Sequence, residues 1–161
     1  AYVHGWSRRF CLRMVLGRGS PERPGLMLAL DRGGCCYGIG FRIAARQVRE
    51  ELRLLWRREM LSGAYEARWV PTTIGGERTR ALTFVVNRKH PRYTGKLPLE
   101  QVVHLLATGQ GIHGNCRHYF DSTVASLGEL GVRDTALERI RTALATYEVR
   151  DAIGAIGVAA D

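Results

Sequence analysis

At 161 residues and 45% hydrophobic content, the chain carries enough apolar material for one globular domain that closes without disulfide or metal staples. No run approaches the roughly 18 uninterrupted apolar residues of a membrane span, and Ala1-Tyr2-Val3-His4-Gly5-Trp6 lacks the basic start and apolar run of a secretory leader. A soluble, unexported protein is expected. The net charge of +9 raises nucleic acid as a partner, but the basic residues, all arginine except Lys89 and Lys96, lie scattered in ones and twos from Arg8 to Arg150. A solvated arginine-rich surface that attracts small anions fits this better, so no nucleic-acid partner is expected.

The first forty residues read as short strands, Cys11 to Leu16, Leu26 to Leu30 and Cys35 to Ile43. They are separated by Arg18-Gly19-Ser20-Pro21 and Arg32-Gly33-Gly34, which predicts an antiparallel meander. A helix follows from about Gln47 to Ser62, stopped by Gly63 where a left-handed cap is usual. Two further strands, near Ala67 to Ile74 and Thr79 to Val86, flank a Gly75-Gly76 hairpin turn. The remainder is helical: one helix starts at Pro98, another runs from about Cys116 to Leu130, and a third opens on Asp134 as its cap.

The four cysteines, Cys11, Cys35, Cys36 and Cys116, show no metal or redox spacing, so reduced thiols in the cytoplasm are expected. None of the serines sits in a G-x-S-x-G elbow. His113 and His118 are too loosely spaced for a metal motif and fit a turn before a helix. Gly109-Gln110-Gly111-Ile112-His113-Gly114 follows a helix where a dinucleotide loop must follow a strand. An enzyme on this chain is therefore expected to work without metal, cofactor or protein nucleophile.

The most informative local pattern lies in the first helix. Val48, Leu52, Leu55 and Trp56 recur at i, i+4, i+7 and i+8 and define one apolar stripe, with Arg49, Arg53 and Arg57 opposite. Glu59 falls in the middle of that stripe, which predicts a carboxylate aimed at the core or at a cleft in it. An inward carboxylate has to be paired, protonated or set in a polar pocket. A structural ion pair, with Arg42 as partner, and a poised proton carrier beside Gly63 and Tyr65 are both open on these residues.

Separated motifs then fall in one order. Gly5-Trp6-Ser7-Arg8-Arg9-Phe10-Cys11-Leu12, Arg18-Gly19-Ser20-Pro21-Glu22-Arg23-Pro24-Gly25 and Gly38-Ile39-Gly40-Phe41-Arg42 resemble the opening barrel strands of ChaC-type γ-glutamylcyclotransferases. Leu55-Trp56-Arg57-Arg58-Glu59-Met60 with Gly63 and Tyr65 is similar to that family's catalytic helix. His90-Pro91-Arg92-Tyr93 is similar to its mid-chain turn, and Gly111, Gly114, Asn115 and Tyr119-Phe120 to its late helix start. The resemblance implies an α+β fold, a small mixed β-barrel flanked by helices, and a glutathione-degrading enzyme that releases 5-oxoproline and cysteinylglycine. It implies Glu59 as general acid/base, while the substrate's own α-amine attacks the γ-carbonyl at high effective molarity. Tyr65, Tyr119 and Asn115 match positions around the family's pocket, and each equally fits a core residue whose polar tip finds a backbone partner. Arg18 and Arg42 are candidates for holding substrate carboxylates. Family members begin with a strand and a Tyr-Gly-Ser-Leu loop that grips the γ-glutamyl group, and the chain starts after that region. A single domain lacking its first strand, with weak activity or none by itself, is the resulting expectation. A cyclotransferase for another γ-glutamyl amine and a non-catalytic basic binding protein are the alternatives.

Overall fold

The computed structural model describes residues 1–158. Its elements are β1 (Tyr2–Met14), β2 (Gly25–Tyr37), a 3-10 turn (Ala45–Gln47), α1 (Val48–Met60), β3 (Tyr65–Ile74), β4 (Glu77–Val86), α2 (Leu99–Thr108), β5 (Gln110–Gly111), β6 (Gly114–Asn115), α3 (Cys116–Glu129) and α4 (Thr135–Val158). The fold is α+β, as the resemblance implied, and the barrel is a curled half-barrel: a four-stranded sheet in the order β2-β1-β3-β4. The chain divides into two compact units, 1–12 with 28–95 and 13–27 with 96–161.

The first unit contains most of the sheet. Two long strands replace the expected three short ones, because the Gly33-Gly34 pair read as a turn lies inside the second. Gly5 in β1 (φ 78°) and Gly33 and Gly34 in β2 (φ 102° and 70°) take left-handed conformations while the strands run on. A glycine in a strand marks a bend or bulge as readily as an end. The simple meander is also corrected. β3 pairs antiparallel with β1, from Tyr2 opposite Thr73, so the connection carrying α1 passes β1 to return on its far side. The β3–β4 hairpin is as expected, closed by Gly75 and Gly76 at φ 58° and 86°, the pair of positive angles that a tight two-residue turn requires. Phe10, Cys11, Leu12, Ala29, Cys36, Ala64, Val70, Val85 and Val86 are buried here, together with the polar Asp31 and Thr72.

The second unit is mainly helical. α2 packs on α3 and α4, and Leu26, Val102, Val103, Leu106, Phe120, Leu137 and Leu144 are buried. Asp134 caps α4, its Oδ1 accepting from the backbone N–H of Ala136 and Leu137 at 3.1 and 3.3 Å, as its position before an apolar run predicts. The Gly109–Gly114 stretch is no phosphate loop. Gln110 and Gly111 pair with Asn115 and Gly114 in a small hairpin. Gly111 is obligatory there, since a Cβ would stand 2.3 Å from the Gly17 carbonyl oxygen and 2.5 Å from that of Gly19.

None of the four cysteines is in a disulfide, and only Cys35 is exposed. Burial, reinforced by the negative charge of Asp31, pushes the Cys11 thiol up from 9.0 to about 12 against the opposing pull of Arg9 and Arg88. Burial also raises Cys116. A folded-state value above the unfolded one stabilises fully below the unfolded value, so the Cys11 contribution is complete below about pH 9 and is lost as pH climbs towards about 12. Iodoacetamide at pH 8 is therefore expected to label Cys35 first and to reach Cys11 and Cys116 only on unfolding, read by mass spectrometry. Labelling of Cys11 as fast as Cys35 in the folded protein would contradict this placement.

Candidate active site

Glu59 lies in the last turn of α1, an amphipathic helix with acidic Glu50 and Glu51 in its first turn and basic Arg57 and Arg58 in its last, the order its dipole favours. The apolar stripe exists, but no residue of α1 is buried; Val48 remains 37% and Trp56 50% exposed. Trp56 meets Phe84 of β4 edge to face, with ring centroids 6.5 Å apart. The Glu59 side chain is accordingly 22% exposed, half covered instead of directed into a core. Its partner is Arg58, whose Nε donates to Oε1 at 2.7 Å from a side chain that is itself 73% exposed. Arg42, the ion-pair candidate from the sequence, is exposed in the segment after β2 and is not that partner.

Past the helix the chain turns sharply. Gly63 adopts φ 68°, its N–H donating to the Met60 carbonyl at 3.2 Å, which is the left-handed stop its position predicted. Buried Ala64 follows, and half-buried Tyr65 opens β3 opposite Val86. The first unit thus holds Glu59, Tyr65 and Arg42, with Glu59 and Tyr65 on the two arms of one turn.

The second unit holds Arg18, Asn115 and Tyr119. The loop carrying Arg18 lies on the β5–β6 hairpin through the bond from the His113 N–H to the Gly17 carbonyl at 2.8 Å. Asn115 ends that hairpin and caps α3, its Oδ1 accepting from the His118 N–H at 2.7 Å. Its polar tip therefore has a backbone partner. Tyr119 is half-buried in the first turn of α3. Among the described residues no group of three or more His, Cys, Asp or Glu side chains comes together in a metal-binding arrangement. No helix among them is long and apolar enough to cross a membrane.

The strongest polar cluster escaped the sequence reading. Asp31 is 1% exposed. Its Oδ1 accepts from Arg88 Nε at 2.7 Å and from the Arg32 backbone N–H at 2.8 Å. Its Oδ2 accepts from the Tyr93 hydroxyl at 3.1 Å and faces Arg9 Nε at 3.5 Å. Burial and the bond to Asp31 raise the Tyr93 phenol, and the same carboxylate raises Arg88. The available signal was strand alternation: with Ala29 inward, Asp31 must be inward too.

The fold is that of a glutathione-specific γ-glutamyl cyclotransferase from yeast, whose crystal structure superposes with a TM-score of 0.68 over 91% of this chain and 86% of that one, at 16% identity. The ChaC-like protein family model matches residues 1–147, and the chain belongs to that family. It is 37% identical over 134 residues to the glutathione-specific γ-glutamylcyclotransferase of Escherichia coli, covering 83% of this chain and 58% of that protein. It is 32% identical over 123 residues to glutathione-specific γ-glutamylcyclotransferase 1 of mouse, covering 73% and 55%. The chain thus spans little more than half the length of these relatives.

The two carboxylates differ in what holds them, and stability measurements separate them. Asp31→Asn removes the buried charged acceptor shared by Arg88, Arg9 and Tyr93 and is expected to cost about 1–3 kcal/mol. Glu59→Gln loses an exposed pair and is expected to change stability by less than about 1 kcal/mol. Urea unfolding of both variants checks this, and a larger loss in Glu59→Gln than in Asp31→Asn would contradict it.

Proposed function

We propose that the protein is a cytosolic γ-glutamylcyclotransferase that splits glutathione into 5-oxoproline and cysteinylglycine, with Glu59 carrying the protons. The observation that carries this reading is the placement of Glu59: half covered at the end of an amphipathic helix, reachable by a substrate, with Tyr65 across a fixed left-handed turn. Membership of the ChaC-like family and relatives named for this activity support it.

The chemistry suits so sparse a set of groups. A γ-glutamyl amide contains its own nucleophile, because the α-amine reaches the γ-carbonyl carbon in a five-membered ring and no protein nucleophile or cofactor is needed. The α-nitrogen starts as an ammonium and ends as a lactam N–H, so it gives up two protons; the departing nitrogen starts as an amide N–H and leaves as an ammonium, so it gains two. Glu59 takes the first proton to free the amine, the new C–N bond forms, and the bond to cysteinylglycine breaks as protons are delivered to the departing nitrogen. Each uptake followed by a delivery returns Glu59 to its starting charge, and two such pairs account for the two protons moved. Arg58 donates to the carboxylate and fixes the direction in which its oxygens point. Within the first unit, Arg42 is assigned to a substrate carboxylate and Tyr65 to the γ-glutamyl portion beside Glu59. The basic surface draws the anionic substrate in.

The intact protein incubated with glutathione is expected to release 5-oxoproline and cysteinylglycine in equal amounts, and Glu59→Gln to reduce that rate at least about 100-fold. Equal turnover of γ-glutamyl dipeptides would move the assignment to a broader γ-glutamyl amine cyclotransferase. Full activity in Glu59→Gln would overturn the role of this residue. No 5-oxoproline from any γ-glutamyl compound, together with salt-sensitive retention on DNA, would favour a non-catalytic basic binding protein.

A further inference from the structure

The turn that separates Glu59 from Tyr65 is tied down by one side chain outside it. Asn87, immediately after β4, donates from Nδ2 to the Gly63 carbonyl at 2.9 Å, and its backbone N–H donates to the Ala64 carbonyl at 2.9 Å. Its Oδ1 accepts from the Lys89 N–H at 3.0 Å, and its carbonyl from the His90 N–H at 3.0 Å. Every polar group of Asn87 is therefore used. Two bonds reach the helix end, and two fold the segment that follows. An asparagine is the residue type that supplies both a donor and an acceptor from one short side chain.

Asn87 is itself held from the other side. Arg88, next in the chain, is paired to buried Asp31 of β2. Tyr93, at the far end of the same segment, gives its hydroxyl to the other oxygen of Asp31 and forms a bridge to Leu12 of β1. The Thr94 N–H donates to the Cys11 carbonyl at 2.9 Å. The segment from Asn87 to Thr94 is thus stitched to β1 and β2 at one end and to the end of α1 at the other. Gly63 stands four residues after Glu59 in the chain, just past the end of the helix.

We propose that Asn87, anchored through the neighbouring Arg88–Asp31 pair, is a positioning residue that fixes the end of α1 bearing Glu59 relative to the start of β3 bearing Tyr65. Its effect on turnover rests on the cyclotransferase reading; its effect on the helix end does not. The proton carrier must lie within hydrogen-bond reach of two nitrogens in succession, and small misplacements of such a group reduce the chemical step far more than they reduce binding.

The test compares intact wild-type protein, Asn87→Ala, and Leu144→Ala, whose buried side chain lies in the other compact unit and controls for general loss of stability. Amide hydrogen exchange is read over residues 59–65, and glutathione turnover is measured alongside. Asn87→Ala is expected to speed exchange in that stretch at least about tenfold and to lower kcat at least about tenfold, with KM within about twofold of wild type. Leu144→Ala is expected to leave exchange in that stretch unchanged. Exchange in Asn87→Ala no faster than in Leu144→Ala overturns the proposal whatever the activity. Faster exchange with wild-type kcat overturns the positioning role and leaves the cyclotransferase reading intact. Absence of 5-oxoproline from wild type overturns the cyclotransferase reading, and exchange alone then decides the brace. Should Asn87→Ala not fold, Arg88→Gln, which loosens the anchor and keeps Asn87, is expected to speed exchange over the same residues, and unchanged exchange there overturns the proposal.

Discussion

A carboxylate removed from water has to be met by donors on both oxygens, and Asp31 is met by Arg88, Arg9, Tyr93 and a backbone N–H. Those donors come from β1, β2 and the segment after β4, so one side chain determines where three stretches of the first unit meet. The arginines remain partly open to water, at 32% and 47% exposure, which keeps the cost of their own desolvation small. The carboxylate also raises the neighbouring Cys11 thiol, though less than burial does. The hydrogen bonds are directional, so the cluster specifies position as well as contributing stability.

That fixed frame matters because the chemistry proposed for Glu59 asks little of the protein beyond placement. Cyclisation of a γ-glutamyl amide supplies its own nucleophile and needs a proton carrier in the right place. Glu59 sits on a helix with no buried residue, attached through Trp56 on Phe84 and through the turn at Gly63. A helix attached so lightly depends on its ends. The bonds from Asn87 to Gly63 and Ala64 are what tie the end nearest Glu59.

The helices, their caps and the β3–β4 hairpin could be read from local pattern, because Gly63, Gly75-Gly76, Pro98 and Asp134 each act within a few residues of where they stand. The two long strands could not. Gly5, Gly33 and Gly34 bend strands that continue past them, and only pairing to neighbours distant in sequence decides whether a glycine ends a strand or bends it. The pairing of β3 with β1 is non-local for the same reason. Helical periodicity groups Glu59 with Leu52 and Leu55, which are partly covered as it is, but periodicity gives a direction and not a depth, so its 22% exposure and its pairing with the adjacent Arg58 were beyond it. Asn115 was legible as a residue near a helix start, and its side chain is the cap of α3. Strand alternation from Ala29 points Asp31 inward, but its partners Arg88 and Tyr93 are remote in sequence, so the cluster they form was not legible.

Asp31 and Arg88 hold each other specifically, and a double-mutant cycle measures that coupling directly. Unfolding free energies of wild type, Asp31→Asn, Arg88→Gln and the double variant are predicted to give an interaction of at least about 1 kcal/mol, with the double variant less destabilised than the sum of the singles. Strict additivity, with zero interaction within error, would contradict it.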